Sequence, residues 1–312
     1  MSLRLLPLPA DRFEDWRTAA RQRLIDGNQT SGMRVGEDAV SYADRILGEV
    51  PEEPSSPTMR VLRIVDDEHG DLGTAWAVLR DQKLFLFDLA VTVEPTGAQR
   101  DELFAQTLAL AAEMGATQLG IPLFPQDDAA RALADGRGFT LASIQMVLEP
   151  LRDRPVEAHV EVSPMTAERY PRFAAQSEAG FAQDLAASGR YSPEEAAAES
   201  HRQMLLELPD GLATEGQELF TASVDGVEVG ILWLGMRVRD GRPHAFILDI
   251  EVAAEQRRKG YGRALMHAAE REARRLGADS IGLHVFGFNT GAIALYEELG
   301  YRRVEEGLLL DL

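Results

Sequence analysis

Residues Gln256-Arg257-Arg258-Lys259-Gly260-Tyr261-Gly262 follow directly on the run Phe246-Ile247-Leu248-Asp249-Ile250-Glu251-Val252 and open a helical pattern through Leu265, Ala268, Ala269 and Leu276. The spacing predicts a strand, a basic glycine turn and a helix. A helix N-terminus already carries partial positive charge, so three cations there are out of place unless an anion joins them. Backbone N–H groups left over in a first helical turn, with glycines at 260 and 262 that admit close approach, point to phosphate as that anion. Downstream, a second predicted helix at about 290 to 299 carries Tyr296 behind Asn289.

Two familiar phosphate loops fail on their residues. A Walker loop needs Lys and then Ser or Thr after its last glycine, and Gly260-Tyr261-Gly262-Arg263 supplies neither. A Rossmann fingerprint needs a third glycine where Leu265 stands and an acid at the end of the next strand, where Phe286-Gly287 stand. What remains is an Arg-x-x-Gly-x-Gly turn built on Arg257, Gly260 and Gly262.

The chain that must position these groups has 312 residues, enough for two domains with their own cores. The polar stretch from Pro150 to Pro155 breaks both helix and strand and marks the expected boundary, giving domains 1–150 and 156–312. The second half reads as a strand at about 158 to 163, helices at about 166 to 187 and 192 to 208, and a hairpin turning at Asp225-Gly226. The strand 244 to 252, the helix 259 to 276, the strand 280 to 286, the helix 290 to 299 and closing strands near 301 to 305 and 308 to 311 complete it.

The first half repeats this plan, with a strand at 3 to 8, a helix at 10 to 25, a hairpin over 59 to 80, then strand, helix, strand, helix and a last strand near 142 to 148. Asp88-Leu89-Ala90-Val91 matches Asp249-Ile250-Glu251-Val252, Gly115-Ala116 matches Gly277-Ala278, and Gly138-Phe139 matches Gly300-Tyr301, so an internal duplication is expected. The chemistry is not duplicated. The basic turn falls on Pro95-Thr96-Gly97-Ala98-Gln99-Arg100, Asn289 on Asp127, and Tyr296 on Ala134.

A formal charge of −19 argues against a nucleic-acid partner, which needs a basic face. No run reaches the roughly 18 apolar residues of a membrane span, and no signal-peptide pattern opens the chain. The absence of cysteine excludes disulfides, thiolate metal sites and a thiol nucleophile; with no export signal, a cytoplasmic location is expected. His244, His267 and His284 show no metal-ligand spacing, so no metal is expected.

The segment Leu283 to Tyr301, taken with the basic turn, resembles the second half of the signature of the GNAT (GCN5-related N-acetyltransferase) superfamily, well over 156–312 and as a degraded copy before it. The resemblance implies an α/β fold of two GNAT-like domains, each a central, mostly antiparallel mixed sheet flanked by helices, with acetyl-CoA as co-substrate in the second domain alone. It implies that Arg257, Arg258, Lys259, Gly260, Tyr261 and Gly262 hold the pyrophosphate, that Ile250 and Val252 pair with the pantetheine amides, and that Asn289 helps to place the thioester. Acyl transfer then needs a proton acceptor for an amine and a donor for the leaving thiolate, for which Glu251 and Tyr296 are the candidates. Asn289 also fits a helix cap, Tyr296 a core tyrosine, and Glu251 a solvated strand residue. The implied acceptor is a small-molecule or peptide amine, with no membrane partner and with its identity and the oligomeric state open. A non-catalytic acyl-CoA-binding regulator and an acetyltransferase of the mycothiol-synthase type are the alternatives.

Overall fold

The computed structural model describes residues 3–154, 160–189 and 191–312. In chain order the elements of the first half are β1 (Leu3–Pro7), α1 (Phe13–Ser31), α2 (Gly36–Gly48), β2 (Ser55–Ser56), β3 (Met59–Asp66), β4 (Gly70–Arg80), β5 (Lys83–Val91), α3 (Gly97–Glu113), β6 (Gln118–Leu123), α4 (Asp128–Ala134) and β7 (Thr140–Leu148). The second half continues with β8 (Glu161–Pro164), α5 (Tyr170–Ala187), α6 (Pro193–Glu207), β9 (Gln217–Val224), β10 (Val227–Arg239), β11 (Arg242–Val252), α7 (Tyr261–Arg275), β12 (Ser280–Phe286), α8 (Thr290–Leu299) and β13 (Arg302–Asp311). Among the described residues no helix is long and apolar enough to cross a membrane.

The chain forms two compact units, Met1–Ala142 with Val304–Leu312, and Ser143–Arg303. They do not divide at the segment 150–155. Each unit takes its last strand from the other half of the chain. In the first, the sheet order is β1-β3-β4-β5-β6-β13, with β13 antiparallel to β6 from Glu306 opposite Leu123 to Asp311 opposite Gln118. In the second it is β7-β12-β11-β10-β9-β8, with β7 antiparallel to β12 from Leu148 opposite Ile281 to Ser143 opposite Phe286. The two expected closing strands are one continuous β13, and α2 is a helix the sequence reading lacks. The strand expected at 158–163 begins outside the described residues, as does Pro155; its described part is β8.

In the second unit, Asp225 and Gly226 are both left-handed (φ 52° and 76°), which matches the right-handed strand twist, so β9 and β10 close in a tight hairpin. Ser192 and Glu195 cap α6 reciprocally. Helix α7 packs on β10, β11 and β12 with Leu265 and the small side chains of Ala264, Ala268, Ala269 and Ala273 buried, while Arg271, Arg274 and Arg275 lie off that face. A bulge interrupts the β10–β11 ladder, where Trp233 faces Asp249 and Leu234 faces Ile247, leaving Leu248 unmatched. The parallel ladder between β11 and β12 covers only His244–Ile247 against Ser280–Leu283, and beyond it β11 parts from β12.

The first unit repeats both irregularities. Trp76 faces Asp88 and Ala77 faces Leu86, so Phe87 is left out, and the parallel ladder of β5 with β6 covers only Lys83–Phe85. Its core is built around Phe13, Trp16 and Trp76 on one side and around Leu86, Leu103, Ile121 and Leu133 on the other.

Candidate active site

The turn between β11 and α7 carries two left-handed residues either side of Lys259: Arg258 (φ 67°) and Gly260 (φ 87°). A non-glycine residue with positive φ is strained, and such alternation makes the backbone concavities that receive anions. Gly260 stands at the N-cap of α7 with no side chain capping the first turn, and a Cβ there would meet nothing within 4 Å. Gly262 lies where a Cβ would come 3.4 Å from Leu295 of α8 and 4.0 Å from Val252 at the end of β11, so it brings those three elements together. The cations divide their work. Arg257 donates to the Val252 carbonyl (3.1 Å) and pairs with Glu251 (3.6 Å), tying the turn back to β11. Lys259 donates to Gln256 (2.9 Å). Tyr261 begins α7 beside them.

Ile250 and Val252 lie on the stretch of β11 beyond its ladder with β12. Asn289 caps α8, its side chain accepting from the Ala292 N–H at 3.4 Å. Tyr296 is buried in α8, and burial, helped by the nearby charge of Asp249, pushes its phenol up to about 12. The side chain of Glu251 is 56% exposed.

The residue that the sequence reading passed over is Asp249. It directly follows the bulged Leu248 on β11 and is half-buried, with the Ser177 hydroxyl of α5 donating to it at 2.5 Å. Burial pushes its carboxyl up to about 6, the Ser177 hydrogen bond opposes that, and the charges of Glu251 and Asp184 add to it. Burial, and then Glu251, also raises Asp184. Ser177, Phe181 and Asp184 follow one another along one face of α5; Phe181 meets Phe286 at 6.2 Å, and Phe286 stacks on the half-exposed Phe288 at 5.5 Å. The only sequence signal for Asp249 was its match with Asp88 in the first copy.

His244 Nδ1 meets Ser280 at 2.7 Å, and burial, followed by the charges of Arg239 and Arg237, drops its pKa to about 4; His284 packs edge-on against Phe286. Among the described residues no group of three His, Asp or Glu side chains is arranged to hold a metal ion.

The corresponding places of the first unit hold other contacts. Thr96 and Gln99 form a capping box that takes up the first turn of α3, Arg23 pairs with Asp88 at 2.7 Å, and α4 packs against β5 and β6 with Ala130, Leu133 and Ala134 buried.

Residues 184–301 match the model of the acetyltransferase (GNAT) family. The chain is 30% identical over 138 residues, 44% of its own length and 88% of the other's, to the uncharacterized N-acetyltransferase YdgE of Bacillus subtilis (strain 168). It is 26% identical over 258 residues, 79% of its length and 78% of the other's, to the mycothiol acetyltransferase of Clavibacter sepedonicus. The crystal structure of a GCN5-related N-acetyltransferase from Sphaerobacter thermophilus covers 99% of this chain and 98% of its own, at 14% identity and a TM-score of 0.50, a likeness of fold. The chain belongs to the GNAT acetyltransferase family.

Proposed function

We propose that the second unit transfers an acetyl group from acetyl-CoA to an amine by direct attack, with Asp249 as the base. The observation that carries this reading is Asp249, held by the Ser177 hydroxyl on the stretch of β11 beyond its ladder with β12, where its charge acts on the buried Tyr296. The turn from Arg257 to Gly262 holds the pyrophosphate, and the unladdered backbone around Ile250 and Val252 pairs with the pantetheine amides. Asp249, raised to about 6, accepts the proton of the attacking ammonium near neutral pH, where an ordinary aspartate near 3.9 is a weak base. Glu251 contributes its charge to that elevation rather than taking the proton, since its exposed carboxylate pairs with Arg257.

Tyr296 faces the leaving thiolate as a hydrogen-bond donor. A thiol has a pKa of about 8.5, so complete proton transfer from a phenol at about 12 is uphill by about 5 kcal/mol. A donated hydrogen bond stabilises the developing charge without that cost. The acceptor enters between α5 and the sheet, past Phe181, Phe286 and Phe288.

The test is thiol release from acetyl-CoA with a panel of spermidine, amino acids, dipeptides and aminoglycosides. Saturable release that needs one of these amines supports the reading; saturable acetyl-CoA binding without turnover on any amine favours the regulator. A cysteinyl amino sugar belongs in the panel, because the match to the mycothiol acetyltransferase of Clavibacter sepedonicus spans both halves of this chain.

A further inference from the structure

The segment after β7 is bound to the helices that carry the site. Leu151 donates its N–H to the Asp279 carbonyl (3.1 Å) and accepts from Arg274 (2.8 Å), which also pairs with Asp153 (3.2 Å). The Arg152 guanidinium lies against Gly300, where a Cβ would come 2.6 Å from its nearest nitrogen. Arg154 reaches deepest. Its Nε and Nη2 donate to the two carboxylate oxygens of Glu270 at 2.6 and 3.2 Å, and Nη2 also donates to the Leu299 carbonyl at 2.6 Å.

These three bonds join two helices. Glu270, fully buried, belongs to α7, whose first turn is the phosphate turn. The Leu299 carbonyl ends α8 and is one of the groups a helix C-terminus leaves without an intrahelical partner; it lies in the same turn as Tyr296. A planar guanidinium fork can serve both at fixed geometry, which a lysine cannot. The arrangement is also rigidly demanding, since a buried ion pair is often no more stable than apolar residues of the same size. Next to it, the Tyr301 ring is 6.1 Å from that of Tyr296, and its buried hydroxyl has no hydrogen-bond partner among the described residues.

We propose that Arg154 is a positioning residue, which through Glu270 and the Leu299 carbonyl fixes α8 against α7 and so sets the Tyr296 hydroxyl relative to the phosphate turn. The inference rests on the reading of Tyr296 given above.

Arg154→Met alone strands a buried carboxylate and is expected to misfold, so the test is the double variant R154M/E270M in the full chain. An apolar pair there preserves the fold but leaves the Leu299 carbonyl without its donor. Four proteins are compared: wild type, R154M/E270M, Y296F, and the triple variant, with acetyl-CoA and the fastest amine of the panel. The expected result is a melting temperature at or above wild type, acetyl-CoA affinity within about threefold, and kcat about tenfold lower at unchanged KM for acetyl-CoA. Adding Y296F to the double variant should then cost less than it does in the wild type, because the two changes disable one device. A folded double variant with wild-type kcat, or Y296F losses that simply multiply, would overturn the proposal. Should Y296F leave the wild-type rate unchanged, the role of Tyr296 falls, and this inference with it.

Discussion

Asp249→Asn should make the protein more stable and inactive at once, and the stability gain should depend on pH. The carboxyl has an ordinary value of about 3.9 in an unfolded chain and is pushed up to about 6 here. Between those values the native state holds a proton that the unfolded state has lost, so stability falls as pH rises from about 4 to 6 and stays low above that. The full penalty is about 3 kcal/mol at pH 8 and about 1 kcal/mol at pH 4.5, from the same two values. Asparagine keeps an acceptor for the Ser177 hydroxyl and carries no charge, so it escapes the penalty. Urea unfolding at the two pH values should show D249N stabilised by about 2 kcal/mol more at pH 8 than at pH 4.5. Turnover should fall by about 10² or more at every pH, and wild-type kcat/KM should drop below about pH 6 as Asp249 protonates. Equal stabilisation at both pH values would refute the elevated carboxyl; a fully active D249N would remove Asp249 from the mechanism.

Other outcomes are open to direct measurement. Tyr296→Phe should lower kcat by roughly tenfold to a hundredfold with little change in acetyl-CoA affinity, as a lost charge-stabilising donor does; calorimetry and steady-state rates separate the two. Gly260→Ala forces a side chain into a left-handed position at about 1–2 kcal/mol, which should weaken acetyl-CoA binding roughly tenfold in a protein that still folds. Titration calorimetry should find one acetyl-CoA per chain, because the capping box at Thr96 and the Arg23–Asp88 pair take up the groups the first unit would need; two sites would refute this. A fragment of residues 143–303 contains every strand of the second unit and should unfold cooperatively, whereas 156–312 lacks β7 and should not.

What the sequence disclosed was local. The basic turn, the helix behind it, the Asp225-Gly226 hairpin and the Asn289 cap are set by residues close to one another in the chain, and all are present. The repeat was legible too, because both copies keep an aspartate directly after the strand bulge. Asp249 escaped notice because its basicity comes from burial first and then from the charges of Glu251 and Asp184, which no spacing encodes. Tyr296 reads in the sequence as a proton donor to the thiolate, and its burial, which no spacing encodes, makes its phenol a weaker acid. The prolines at 150 and 155 suggested a boundary, yet the strand before them belongs with the residues after them.

The exchanged strands bear on biosynthesis and on inheritance. β6 gains its neighbour β13 only after all the other strands have been translated, and Gln118 Nε2 reaches the carboxylate of Asp311 across 193 positions. Until then the first unit exposes an unpaired edge, the kind of surface that recruits stray strands, so its completion waits on translation of the second. A lineage that deleted residues 1–150 would also lose β7 from the second unit.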